Sequence, residues 1–194
     1  AAAGPAFEGG NMTSGSGSIP GAICKMAIEG GVTAVETIQD KEPIGICGTG
    51  IVETVAELLK EGLIDKTGYM ETGVFETEYQ GIRFTQKDVR EFQLAKAAVR
   101  AGIELLLLRY GMTANQVERV YLAGGFGHEM NIDKAIKTGL FPTAFKDKII
   151  TVGNSALKGA VMLLLHPESA EKIKDMILHT EEVRLASDEE FNHL

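Results

Sequence analysis

The chain has 194 residues and a net charge of −8, with 27 acidic against 19 basic residues. The excess of acidic residues argues against the positive surface that a nucleic-acid partner requires. With no Trp, 4 Tyr and 8 Phe, the chain also has few aromatic rings on which bases could stack. Its longest apolar stretch, residues 159–165, is far shorter than the roughly 20 residues that cross a bilayer, so we expect no membrane partner. Two cysteines, Cys24 and Cys47, are too few for a disulfide scaffold, which favours a cytoplasmic location.

The N-terminal residues AAAGPA contain no initiator methionine, no basic segment and no apolar segment of a signal peptide. We therefore expect the chain to be part of a longer protein. Its 23 glycines cluster in residues 9–21, 45–50 and 124–127, and clustered glycines often mark close approach of the backbone to another group.

The first third of the chain predicts a hairpin, a short strand and a helix. Residues 22–28 and 32–39 are β-prone and flank a Glu-Gly-Gly turn, and residues 44–46 form a third short strand. Residues 49–60 have helical periodicity, with Ile51 on an apolar face and Glu53 and Glu57 on the opposite face.

A long helix is predicted in the middle of the chain. Residues 63–80 are rich in turn residues and predict a loop with at most one strand, followed by a short strand at 81–84. Thr85 and Asp88 have the spacing of a capping box, and the apolar periodicity continues to Tyr110.

The last third alternates strands and helices. Buried strands are predicted at residues 117–122 and 149–152, a further strand at 182–185, and helices at 132–137, 155–165, 167–178 and from Ser187 onward. Strand, glycine turn and helix occur in this order three times, which predicts an α/β fold around a largely buried sheet.

We number the three glycine turns in chain order. The second, which consists of Gly124, Gly125, Phe126 and Gly127, directly follows a predicted strand. Glycine without a Cβ lets a ligand contact the peptide groups there, or it allows a tight strand-to-helix turn at positive φ; both interpretations stay open. The turn matches neither a dinucleotide fingerprint nor a Walker A loop.

The first turn, Gly48, Thr49 and Gly50, begins the predicted helix of residues 49–60. Its N–H groups could hold an anion, or Thr49 could be only the N-cap. Neighbouring Cys47 is interpreted as a small buried side chain without a catalytic role.

The third turn begins with Gly153 and Asn154, and Gly159 follows within the next helix. A glycine inside a helix costs about 1 kcal/mol, so either a flat ring or a crossing helix is expected against Gly159. Near the N-terminus, Glu8 could bind a ribose hydroxyl or Mg²⁺, or it could belong to a capped turn.

These three turns resemble the second lobe of the superfamily of acetate and sugar kinases, heat-shock chaperones and actin, in which LAGGFG is similar to the adenosine motif. The whole chain resembles the C-terminal domain of the ATP-dependent reductive activators of corrinoid proteins. The segments that carry this second resemblance, in order, are AAAGPAFEGGNM, GAI, GICGTGIVE, FTQKDVREFQLAKAAVRAGIELLL, YLAGGFG, GLFP and VGNSALKGA.

The resemblance implies a ribonuclease H-like, actin-like ATPase lobe over residues 1–194, with a mixed sheet and flanking helices. It implies a longer protein with an upstream [2Fe-2S] ferredoxin domain, a linker and the phosphate motifs. Such a protein uses ATP, Mg and an electron-donating reductant to return a Co(II) corrinoid protein of a methyltransferase system to Co(I), and we expect a homodimer.

By the same resemblance, the second turn lines the nucleoside side of the nucleotide, and Gly153, Asn154 and Gly159 lie close behind it. Gly4 and Glu8 lie nearer the ribose and phosphate. The first turn, with Gly48, Thr49 and Gly50, belongs to the same nucleotide-binding set.

Two departures limit what this chain can do by itself. It contains no acidic phosphate motif of DxGT type, so the Mg²⁺ ligands are expected upstream, and no CxxxxCxxC motif for an iron-sulfur cluster. We therefore expect no catalytic residue and no metal site in these 194 residues, and no activity of the fragment alone.

Two other functions stay open. The related activators of 2-hydroxyacyl-CoA dehydratases hold a bridging cluster through a cysteine in a CAAG-like segment, but Ala1 stands at that position here. The other alternative is a dimerisation or partner-binding module that has lost its nucleotide.

Overall fold

The N-terminal half of the molecule is built on a three-stranded mixed sheet. The computed structural model describes residues 4–79, 81–188 and 190–191. Strands β1 (Ala22–Glu29) and β2 (Val32–Thr37) are antiparallel and joined at two positive-φ glycines, which confirms the predicted hairpin. Strand β3 (Gly45–Ile46) lies parallel to β1 on its other side, in the order β2-β1-β3.

Helix α1 (Gly48–Lys60) packs against β1 and begins one residue before the predicted start. Its residues from Gly48 to Leu58 are all buried, including Glu53 and Glu57 on the face opposite Ile51. The polar face of this helix is therefore not solvated, because the two carboxylates accept hydrogen bonds from the backbone N–H groups of β1.

A second hairpin and a long helix follow. Strands β4 (Val74–Glu76) and β5 (Arg83–Thr85) are antiparallel, and α2 (Gln86–Arg109) begins directly after them. The predicted capping box is present, since Thr85 and Asp88 each accept a hydrogen bond from the other's backbone N–H. Val89 and Phe92 of α2 belong to the core that also contains Ile51.

The C-terminal half contains a two-stranded parallel sheet, β6 (Val120–Ala123) and β7 (Ile149–Gly153). Helices α3 (Gly125–Glu129) and α4 (Ile132–Lys137) lie between these strands in the sequence. The prediction of buried strands is wrong here, because Tyr121 is 60% and Ile150 43% exposed. One face of this sheet packs on the core, and no described element covers the other.

Helices α5 (Ser155–Leu165) and α6 (Ala170–Leu178) confirm the two predicted helices, with a 3-10 turn at Pro167–Ser169 before α6. Neither helix buries a residue, and Leu164 is 80% exposed. These two helices therefore present apolar side chains to solvent.

The strand predicted at residues 182–185 is wrong. The segment pairs with no strand among the described residues and ends in a 3-10 turn at Leu185–Ser187. An ion pair of 2.6 Å between Arg109 Nη2 and Asp188 Oδ2 joins it to the end of α2 instead of to a sheet. The helix predicted from Ser187 falls largely on residues 189 and 192–194, which lie outside the described residues. No described helix combines the length and the apolar character needed to cross a bilayer.

Candidate functional site

The first and second glycine turns line one cavity of about 460 Å³ at the carboxyl ends of β3 and β6. Cys47 and Thr49 line it at the start of α1, and Gly125 and Phe126 line it in the second turn. The remaining lining residues are Ser18, Cys24, Lys25, Ile38 and Glu129. Crevices at the ends of parallel strands are the usual ligand sites of α/β folds, and this volume is that of a small-molecule site.

Aromatic packing fixes the distance between the two turns. The Phe126 ring lies 5.0 Å from the Phe7 ring, centroid to centroid, and Phe7 in turn meets Phe92 edge-on at 6.0 Å. Gly48 fits beneath this pair, because a Cβ there would overlap the Phe7 carbonyl oxygen and lie 3.0 Å from Phe126 Cε2. The glycine at position 48 is thus explained by packing of the start of α1.

The three glycines of the second turn have different physical roles. Gly124 has φ +94° and ψ 164°, a conformation essentially restricted to glycine. A Cβ at Gly127 would lie 2.5 Å from Leu122 Cγ, so this glycine is required for packing of α3 on β6. Gly125 lines the cavity, and a Cβ there would meet no atom within 4 Å. Gly125 is therefore the position of the turn at which a side chain would enter the cavity.

The first turn places Thr49 in the cavity wall, where its Oγ1 lies 3.2 Å from Cys47 Sγ. The N-cap is Cys47, so the interpretation of Thr49 as the N-cap is wrong, and Thr49 is the second helical residue. A Cβ at Gly50 would overlap the Ile23 carbonyl oxygen, so Gly50 is required by the close packing of α1 on β1.

The third turn lies beside the second but outside the cavity. The Gly124 N–H donates to the Gly153 carbonyl at 2.8 Å, which joins the ends of β6 and β7. Asn154 is the N-cap of α5, and its Oδ1 accepts from the Leu157 N–H at 2.9 Å. Gly159 is exposed, and neither a ring nor a crossing helix lies against it among the described residues.

The two N-terminal candidates do not line the cavity either. Gly4 is exposed and has φ +72°, and Glu8 lies exposed in the 3-10 turn Ala6–Glu8. This turn packs on α1 and α2 through buried Ala6. The roles of Gly4 and Glu8 toward ribose and phosphate stay predictions.

Sequence reasoning missed the part of the cavity that β1 contributes. A β-bulge at Cys24 interrupts the pairing of β1 with β2, and Cys24 and Lys25 consequently both line the cavity although they are consecutive. At this rim Lys25 pairs with Glu36 at 2.7 Å, and the hydrogen bond to that carboxylate raises the pKa of Lys25. No pattern in the sequence marks a bulge.

The lining of the cavity has the chemistry of a site for a small organic ligand. An aromatic ring, an open glycine and a threonine hydroxyl can hold a flat, polar-edged group. The described residues contain no group of three or more His, Cys, Asp or Glu side chains able to hold a metal ion.

The mixed sheet, the flanking helices and the glycine turns at strand ends define an actin-like α/β lobe. The chain belongs to the family described as the C-terminal domain of RACo, the ASKHA domain, which it matches over residues 1–194. The resemblance inferred from the motifs is therefore confirmed.

Two curated relatives and one solved structure are similar to the chain. It is 35% identical over 217 residues to the corrinoid activation enzyme RamQ of Eubacterium limosum, covering 98% of this chain and 37% of RamQ. It is 30% identical over 217 residues to a [Co(II) methylated amine-specific corrinoid protein] reductase of Methanosarcina barkeri, covering 100% of this chain and 40% of that protein.

The solved structure is a reductive activator for corrinoid, iron-sulfur protein, with a TM-score of 0.85 and 31% identity. The match covers 98% of this chain and 34% of that one. The chain thus spans between a third and two fifths of the length of these proteins.

Proposed function

We propose that this lobe binds the nucleoside part of ATP within a longer, cytoplasmic protein that returns Co(II) corrinoid proteins of methyltransferase systems to Co(I). The observation that carries the proposal is the meeting of two glycine turns in one cavity, in a chain whose relatives are named as corrinoid activators and reductases. Residues 1–194 are the C-terminal lobe of that protein.

Each wall of the cavity has a role in this proposal. Phe126, held by Phe7, offers a ring for the base, and Gly125 leaves room for it. Thr49 lies in the first turn of α1, whose N-terminus favours negative charge from the phosphates. Bound ATP would supply the difference in affinity between open and closed forms that biases the corrinoid protein toward reduction.

The remaining parts of the machinery belong to regions outside these 194 residues. We place the Mg ligands, the phosphate motifs and the [2Fe-2S] cluster there, and an external reductant supplies the electron. The fragment alone is accordingly inactive.

The test uses the full-length protein with a Co(II) corrinoid protein and a low-potential reductant under anaerobic conditions. Adding ATP should produce the visible absorption of Co(I), and omitting ATP should not. Calorimetry with ADP tests the lobe separately. No Co(I) with ADP still bound would favour an activator of a 2-hydroxyacyl-CoA dehydratase-type enzyme, and no ADP binding would refute the nucleoside site.

A second candidate, a dimerisation module, is favoured by the apolar surface of α5. Leu157, Val161, Met162, Leu164 and Leu165 are between 44% and 80% exposed on this single helix. Monomers rarely leave so continuous an apolar patch open, and we propose that a second copy covers it in a homodimer. Light scattering should give twice the chain mass for the full-length protein, and Leu164→Glu should halve it; an unchanged dimer would place the interface elsewhere.

A further inference from the structure

The two cysteines of the chain both line the cavity. In the parallel pair of β1 and β3, Ala22 is opposite Gly45 and Ile23 is opposite Ile46, and Cys24 and Cys47 are the residues that directly follow this last pair. Cys47 is still extended, with φ −81° and ψ 173°, and its N–H donates to the Ile23 carbonyl at 3.0 Å. This hydrogen bond holds Cys47 against the end of the paired segment of β1, at the residue next to Cys24 in the sequence.

Both thiols face the same space. Ile23 and Ile46 are buried in the core, and the following residue of each strand lines the cavity instead. Adjacent strands lie about 4.8 Å apart, which is within the range of Cα separations that a disulfide spans. Burial, followed by the neighbouring Cys47, raises the pKa of the Cys24 thiol.

The hydrogen bonds that hold the thiols are weak. The Cys24 Sγ donates to the Glu36 carbonyl at 3.3 Å, and the Cys47 Sγ to the Ile23 carbonyl at 3.2 Å. Both acceptors are backbone carbonyls of the sheet, and thiols are poor donors, so releasing them costs little. In the reduced fold, both cysteines are free thiols.

We propose that Cys24 and Cys47 form a dithiol modification site that low-molecular-weight disulfides oxidise to an intramolecular disulfide joining β1 to the start of α1. Cys24 is partly exposed and Cys47 is buried, so Cys24 reacts first. The Cys24 thiol first loses its proton to solvent, and the resulting thiolate attacks the reagent disulfide, forming a mixed disulfide and releasing one thiolate, which takes up a proton.

The second step forms the intramolecular disulfide. The Cys47 thiolate attacks Cys24 Sγ, the bond from Cys24 to the reagent breaks, and the second reagent thiol leaves with a proton. Two electrons pass from the two cysteines to the reagent, which is reduced to two thiols. The proposal does not depend on which ligand the cavity binds.

The experiment uses the reduced, full-length protein and oxidised glutathione. Trypsin cleaves after Lys25 and Lys41, so the two cysteines fall in different peptides that only a disulfide keeps together. After alkylation of free thiols and digestion without reductant, mass spectrometry should find the peptide ending at Lys25 joined to peptide 42–60. The joined pair should be lighter by about 2 Da than the two reduced peptides together.

Two variants test the order of reaction. Cys47→Ser should keep glutathione bound to Cys24, because no second thiol displaces it. Cys24→Ser should leave Cys47 unmodified, since that side chain is only 1% exposed. A stable glutathione adduct on Cys24 of the unmutated protein, or a disulfide joining two protein molecules, would overturn the proposal.

Discussion

Lys134 of α4 donates a hydrogen bond of 2.9 Å to the carboxylate of Glu57 of α1, in a site that leaves the two side chains only 17% and 7% exposed. The same ammonium group also pairs with Glu53 at 2.5 Å and donates to the Met26 carbonyl at 2.7 Å. One lysine thus connects α4, α1 and β1.

This cluster takes the place of a neighbouring strand along β1. Beyond Ile23, the edge of β1 on the side of β3 pairs with no strand among the described residues. The Met26 and Ile28 N–H groups donate to Glu53 and Glu57 instead. Side chains therefore satisfy a buried sheet edge that would otherwise carry unpaired backbone groups.

Lys134→Met should strongly destabilise the fold. The change removes the cation but leaves two buried carboxylates without it, a loss that costs about 3 to 5 kcal/mol in buried ion pairs. Urea unfolding followed by circular dichroism measures it. The matched control is Lys174→Met, which breaks an exposed pair with Glu171 and should cost less than about 1 kcal/mol. Equal effects of the two variants would contradict a buried network.

The free energy of unfolding should decrease at acidic pH because Glu57 becomes protonated. Burial alone would raise the pKa of this carboxyl, but hydrogen bonds from Lys134, the Ile28 N–H and Lys60 outweigh it and lower the pKa from 4.5 to about 2. A lowered native pKa stabilises the fold above the unfolded value of 4.5, and this contribution is lost as the pH falls toward 2. Urea unfolding between these pH values should show the decline, and Glu57→Gln should flatten it. An equally steep decline in the variant would assign the effect to other carboxyls.

Two glycines of the second turn should respond differently to substitution. Gly125→Val places a side chain in the open cavity, so the protein should keep its melting temperature but bind ADP at least tenfold more weakly, about 1.4 kcal/mol. Gly127→Ala forces a Cβ against Leu122 and should cost about 1 to 3 kcal/mol of stability. Calorimetry and thermal melts separate the two effects, and unchanged ADP affinity in Gly125→Val would refute the site.

Loss of the Asp88 side chain should destabilise the fold more than loss of the Thr85 side chain, with which it forms the capping box. Its buried carboxylate accepts from the Thr13 N–H at 2.6 Å and the Thr85 N–H at 2.7 Å, so it ties the N-terminal loop to the start of α2. Asp88→Ala leaves both donors without this acceptor and should cost about 3 kcal/mol, whereas Thr85→Ala should cost about 1 kcal/mol. Chemical denaturation of both variants checks the order, and a larger loss in Thr85→Ala would contradict it.

Local elements of the fold could be predicted from the sequence because short-range interactions determine them. The hairpin between β1 and β2 follows from two glycines between β-prone segments, and the start of α2 follows from the spacing of Thr85 and Asp88. The α/β class follows in the same way, from strands that run directly into glycine turns and helices. The sequence predicted which turns contain candidate site residues, but it could not separate glycines that pack from those that face a ligand.

The sequence by itself determined the hairpin, the capping box of α2, the order of the glycine turns and the family resemblance. Only the tertiary structure decided that Lys134 joins Glu53 and Glu57, that Phe126 rests on Phe7, and that Cys24 and Cys47 line the same cavity. The reason is physical: turns and caps depend on residues a few positions apart, whereas burial and pairing depend on how distant segments pack. An acidic residue on one face of a helix therefore becomes a core residue when the sheet edge beside it has no strand to bond.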